Sequence, residues 1–200
     1  SKRLREFSKE YRAKVNIPYT CLSYPDDIKK EIVQLLKSSN CKQVNIGFQN
    51  VDEDIRKNIL NRYEKNGDIK ECIKLLKKAK IRSIIDCMMG IPLSSEKDIK
   101  DAFEFFYRNT PTRVFTPWLQ YFPRTEICNI AQKHNVLNKK QIQGIEEYPY
   151  NKTILNADKL IHNPELIKYQ ILFVLLLFSK RFAWLLYKTK LFKLVPHNSA

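Results

Sequence analysis

Glycine is scarce in this chain, with four in 200 residues: Gly47, Gly67, Gly90 and Gly144. None stands in a glycine-rich phosphate loop, and no nucleophile-elbow motif is present. The five cysteines, Cys21, Cys41, Cys72, Cys87 and Cys128, are spaced too widely for a zinc or redox CxxC pattern. His134, His162 and His197 show no HxH or HExxH spacing, so the sequence encodes no metal site within these residues. The odd cysteine count and the lack of a signal peptide point to reduced thiols in a cytosolic setting. No apolar run reaches the ~20 residues of a membrane span. Acids are outnumbered, 21 against 36 basic residues, for a net charge of +15. The lysines are nevertheless mixed with Asp and Glu along helical segments, without a basic stripe or aromatic platform, so nucleic acid is not expected as a partner.

Two segments stand out. Val44–Asn50 and Ile84–Pro92 are short apolar strand patterns ending in Gly47 and Gly90, each with an amide or acid near that end, Gln49 and Asp86. Glycine there permits a sharp turn or close approach of a ligand to backbone. In parallel α/β folds ligands bind at the carboxyl ends of strands. Two ordinary strand-to-helix turns are the alternative.

Around these segments the pattern alternates. A short amphipathic helix is expected over Leu4–Ala13, then strands at Val15–Leu22, Gln43–Gln49, Ile81–Met89 and Arg113–Phe122. Helices are expected after Pro25, over Asp52–Leu60 and Asp68–Ala79, after Ser95, and from Thr125. Strands alternating with crossovers of helical length imply a parallel sheet of four βα units. Four units do not close a barrel, so the expected fold is α/β, an incomplete barrel with an unpaired edge at its first strand. Ile17, Ile46, Ile84 and Val114 are its candidate inward apolar residues.

The alternation stops near Leu137. Residues 138–163 read as a connecting region. Residues 164–195 are apolar and basic: Ile171–Phe178 is unbroken, Lys180 and Arg181 interrupt, and Phe182–Tyr187 resumes. Two readings stay open here. One is an amphipathic helix on a membrane surface, rimmed by lysines, and the other is a helical hairpin packed on the domain, which is favoured.

Three pieces then carry a resemblance: Gln43–Arg62, Ile81–Pro92 and Val114–Thr125. In order and spacing they resemble the second half of the radical S-adenosylmethionine (SAM) core, a partial (β/α)6 barrel, in residues 1–137. The flavour is that of enzymes with a cobalamin-binding domain related to anaerobic magnesium-protoporphyrin cyclase. Gly47-Phe48-Gln49 matches a Gly-x-Glu/Gln element after the fourth strand, and Asn61-Arg62 matches the Asn-Arg ending its helix. Asp86 to Pro92 meets the fifth strand's Asp-x-x-x-Gly-Leu-Pro pattern, and Tyr121 to Thr125 loosely meets a Tyr-Pro-Gly-Thr ending.

The resemblance implies that Gln49 and Asp86 hydrogen-bond the SAM ribose, that Arg62 pairs with its carboxylate, and that Gln120 sits by the adenine. It also implies a 4Fe–4S cluster that cleaves SAM reductively to a 5′-deoxyadenosyl radical or supports methyl transfer through cobalamin. Departures are clear. The Cys-x3-Cys-x2-Cys cluster motif is not in these residues and is expected upstream of Ser1, in an N-terminal half of the same protein. Leu93 and Arg124 replace family glycines, and a third-strand acid falls near Leu22. This chain alone is therefore expected to be inactive, part of a cytoplasmic enzyme acting on SAM and an unknown substrate, with peripheral membrane contact through residues 164–195 as an open alternative. Two rival readings are a degenerate, non-catalytic half-barrel serving as an interaction module, and an unrelated α/β enzyme using Asp86 and Arg62 on a phosphorylated substrate.

Overall fold

A computed structural model describes residues 2–147 and 164–195. Four strands, β1 (Tyr19–Ser23), β2 (Cys41–Gln49), β3 (Arg82–Cys87) and β4 (Arg113–Phe115), form one parallel sheet in sequential order. Helix α1 (Lys2–Lys14) precedes it, and α2 (Lys30–Ser38), α3 (Glu53–Leu60), α4 (Asn66–Ala79) and α5 (Glu96–Arg108) form the crossovers. Then come α6 (Glu126–Lys133), α7 (Lys139–Glu147), α8 (Pro164–Phe178), α9 (Lys180–Thr189) and a 3-10 turn at Leu191–Leu194. This is the expected parallel α/β architecture with open edges.

The register explains the core. Ile46 lies opposite Ile85 and Ile85 opposite Val114, so these side chains share the face that packs on helices. Val44, Ile46 and Phe48 are fully buried there against α4 and α5, which contribute Ile69, Cys72, Leu76, Phe103 and Phe106. Period-2 alternation sends the neighbours to the other face: Leu22, Asn45, Gly47, Ile84, Asp86, Arg113 and Phe115. Leu22 there is 80% exposed.

Ile46 and Val114, expected inward, therefore belong to the helix-side core, and Ile17 lies outside the strands. The open face is mixed, with Asn45, Asp86 and Arg113 beside Leu22, Ile84 and Phe115.

Other boundaries moved for identifiable reasons. The first strand begins at Tyr19, not Val15, because Asn16 takes a left-handed turn (φ 50°) that closes α1, and Pro18 has no N–H to donate. The fourth strand stops at Phe115. Beyond it only the Met89–Trp118 bridge continues, where Met89 N–H donates to the Pro117 carbonyl and Leu119 N–H to Met89. Helix α4 begins at Asn66 rather than the expected Asp68, whose carboxylate reaches back to Lys65 N–H at 2.9 Å.

The connecting region holds a helix, α7, over Lys139–Glu147; its remainder, 148–163, lies outside the described residues. The C-terminal segment forms a helical hairpin whose inner side packs on α5 and β4, with Tyr169, Leu172 and Phe173 buried. Ser179 breaks the two helices and caps α9 at Phe182 N–H. No helix of the described residues is long and apolar enough to cross a membrane.

Candidate functional site

Gly47, Gln49 and Asp86 meet at the carboxyl ends of β2 and β3. Gly47 lies opposite Asp86, and the register slips between Gly47 and Gln49, a bulge that re-aims the following side chain. Gln49 sits at φ 73°, a left-handed conformation unusual for a side-chain-bearing residue. Its Oε1 is buried and has no hydrogen-bond partner. A native acceptor left this way costs free energy, which marks a place for a donor. Asp86 is half-buried, and desolvation raises its carboxyl above the usual carboxylate range.

Arg62 comes to the same place from the loop after α3. Asn61 ends the helix in the left-handed conformation (φ 51°), which asparagine tolerates. The Arg62 guanidinium then lies over Gly47, donating from Nη2 to its carbonyl and from Nε to Glu64 Oε1 at 2.7 Å. Tyr24 lies under it, with its ring centroid 4.7 Å from the guanidinium carbon. A Cβ on Gly47 would stand 3.1 Å from Gln49 Nε2 and 3.4 Å from Arg62 Nη1. The missing side chain is what lets amide and guanidinium converge. Arg62 Nη1 makes no hydrogen bond among the described residues, so one edge of the fork remains for a ligand even though Glu64 meets the charge.

Sequence reasoning missed the residue that holds this loop. Arg56 on α3 is fully buried, yet it donates to the Asn50 carbonyl and, from Nη2 at 2.8 Å, to the Glu64 carbonyl. Its guanidinium carbon lies 4.4 Å from the Phe48 ring centroid. Desolvation lowers its pKa from the usual arginine range, and the carboxylates of Glu53 and Glu64 oppose that. Arg56 thus ties the turn after β2 to the loop bearing Arg62. The only signal was a lone arginine one helical turn after the Asp52 cap, which reads as surface charge.

Gln120 is exposed in the loop after β4, apart from this cluster in the hydrogen-bond pattern. Leu93 (φ 68°) and Arg124 (φ 61°) both hold left-handed backbone. Gly90 (φ 73°) faces Trp118, whose Cε3 would lie 2.8 Å from an added Cβ. Cys72 and Cys87 are buried, which pushes each thiol up to about 12.

The donor set fits a ligand with hydroxyls and a carboxylate, such as SAM: a free amide oxygen, a carboxylate and an available arginine edge beside a side-chain-free cradle. It does not fit an iron–sulfur cluster. Among the described residues no three His, Cys, Asp or Glu side chains are grouped to hold a metal.

The Radical SAM superfamily model matches residues 2–106. No curated protein matches the sequence. Among solved structures the chain is similar to the radical S-adenosylmethionine methyltransferase TsrM from Kitasatospora setae with cobalamin and a 4Fe–4S cluster bound. That match has a TM-score of 0.55 and 18% identity, covering 63% of this chain and 24% of that one. The same enzyme with tryptophan substrate and the SAM analogue aza-SAM gives 0.56 and 18%, covering 63% and 25%. Coproporphyrinogen III oxidase (HemN) from Escherichia coli, a radical SAM enzyme, gives 0.56 and 14%, covering 79% and 37%. These likenesses speak for the fold: the four βα units are part of a TIM-type barrel. The chain spans about a quarter of TsrM and little more than a third of HemN.

Proposed function

The chain belongs to the radical SAM superfamily, and on that premise we propose that it forms the SAM-binding flank of a radical SAM enzyme, with the cluster ligands supplied from outside these residues. The observation that carries this reading is the buried, unpartnered Gln49 Oε1 beside Gly47. Gln49 accepts from a ribose hydroxyl, and Asp86, across the strand pair, accepts from the other or from a nearby polar atom. Arg62, oriented by Glu64, offers its Nη1 edge to the ligand carboxylate, and Gln120 lies on the adenine side. The loop pinned by Arg56 keeps Gln49 and Arg62 in place before ligand arrives, which lowers the ordering cost of binding. Cluster and SAM together supply the radical chemistry; this chain's residues bind and orient.

The finer assignment is methyl transfer or a cyclase-like reaction with cobalamin, on a substrate enclosed by the mixed open face, in a cytoplasmic enzyme. The test is anaerobic incubation of the complete, iron-reconstituted protein with SAM and dithionite. The reading expects 5′-deoxyadenosine or S-adenosylhomocysteine; a fully loaded protein giving neither would contradict it. The second reading, a non-catalytic half-barrel, draws support from Leu22 at the third-strand acid position and from Glu64 neutralising Arg62. That outcome would favour it.

A further inference from the structure

The C-terminal hairpin has two sides of opposite character. Its inner side is anchored: Tyr169 Oη donates to Glu96 at 2.5 Å, Gln170 Nε2 to the Thr116 carbonyl at 2.7 Å, and Tyr187 Oη to Glu104 at 3.0 Å. Its outer side is bare. Of seventeen exposed large hydrophobic residues among those described, eight fall in 174–195. Val174, Leu177 and Phe178 follow helical spacing on α8, and Phe182 and Leu185 do so on α9. Ser179 lies between the two stripes, with Phe178 and Phe182 flanking the break. Phe178 is 80% exposed and Leu194 75%. A contiguous exposed apolar patch of this kind marks a surface that meets a partner.

Charge selects what covers it. Residues 166–195 contain six basic side chains and no acid, whereas elsewhere lysines and acids are interspersed. Lys193 is used internally, pairing with Glu96 at 2.9 Å. Lys180, Arg181, Lys188 and Lys190 are exposed and make no ion pair among the described residues. Lys180 and Lys188 hold their ammonium nitrogens 4.7 Å from the Tyr107 and Trp184 ring centroids, cation–π contacts that leave Arg181 and Lys190 as the cations without such a partner among the described residues. Apolar side chains beside unopposed cations, on helices too short to span, form the pattern of an element lying in the headgroup region of an anionic bilayer.

We propose that the outer face of the α8–α9 hairpin seats on an anionic phospholipid surface, with Phe178, Phe182 and Leu185 at the acyl boundary and Arg181 and Lys190 at the phosphates. This does not rest on the SAM reading. The test is sedimentation of the full-length protein with vesicles of phosphatidylcholine alone, or of phosphatidylcholine with a minor fraction of phosphatidylserine. Retention is expected on the anionic vesicles, weakening with salt and far lower on the neutral ones. Arg181→Gln and Lys190→Gln should each lower the anionic partition coefficient about fivefold. Phe178→Ser with Phe182→Ser should abolish retention without lowering the melting temperature. Because Arg181 and Lys190 are exposed, the charge variants stay readable if the double serine variant fails to fold. Absence of binding, equal binding to both vesicles, or indifference to the charge variants would each overturn the proposal. So would concentration-dependent self-association that the serine variants remove, which would assign the face to a second copy of the chain.

Discussion

Arg62 lies over Gly47 and closes onto the strand that Gly47 belongs to, donating to its carbonyl while Glu64 holds the guanidinium from the side. The absent Cβ is therefore part of the site. Gly47→Ala should weaken SAM binding by roughly tenfold, the worth of about one hydrogen bond. Because the added methyl group would meet flexible side-chain ends, the melting temperature should change little. Calorimetric titration alongside a thermal melt separates the two effects.

Arg56 is a buried cation satisfied by carbonyls and a ring rather than by a close carboxylate; Glu53 stands 3.7 Å away. Arg56→Met removes the donors and leaves the Asn50 and Glu64 carbonyls unpaired. A loss of about 2–5 kcal/mol, the sum for two unpaired carbonyls, is expected in chemical denaturation. Arg56→Lys should not rescue it, since an ammonium cannot reproduce the planar fork.

Leu93 and Arg124 stand where the related pattern carries glycine, and both keep a left-handed backbone. Leu93→Gly and Arg124→Gly should each stabilise the fold by about 1 kcal/mol, the relief of left-handed strain less the added freedom of the unfolded chain. Leu93 is half exposed and forfeits little burial. Denaturant midpoints of the two variants check this; destabilisation by both would show that the side chains carry packing the backbone geometry conceals.

Glu96 joins α5 to the hairpin. The Tyr169 hydroxyl first, then Lys193, hold its carboxyl down to about 2, from an ordinary value of 4.5. A depressed acid contributes stability fully above its unfolded value and loses it as pH falls through its folded one. Hairpin docking should thus weaken between about pH 4.5 and 2, a limb that Glu96→Gln flattens. Near-ultraviolet dichroism of the Trp184 cluster reports it. Coincident acid limbs in both proteins would remove Glu96 from the account.

The parallel sheet and its crossovers were legible because period-2 and period-3.6 patterns alternate cleanly from Val44 to Phe106. Gly47, Gln49, Asp86 and Arg62 could be singled out by type and position, and the first three meet at the β2–β3 ends with Arg62 above them. The rest depended on three-dimensional context. Nothing local distinguishes Ile46 from Ile84, yet one joins the helix-side core and the other is buried on the opposite face of the sheet, because register alone decides it. Arg56 looks like any helical surface arginine until Glu64 folds over it. The Val15 and Phe122 ends were overextended because β-prone residues continue past the point where Asn16 and Pro117 interrupt the ladder.

The central claim is that Gln49 and Asp86 receive SAM. Titration of SAM into the complete, anaerobically reconstituted protein tests it most directly, with Gln49→Ala, Asp86→Ala and the exposed Lys42→Ala as control. The account predicts affinity lowered roughly ten- to a hundredfold in the first two and unchanged in the third. Unchanged affinity in both site variants would contradict it.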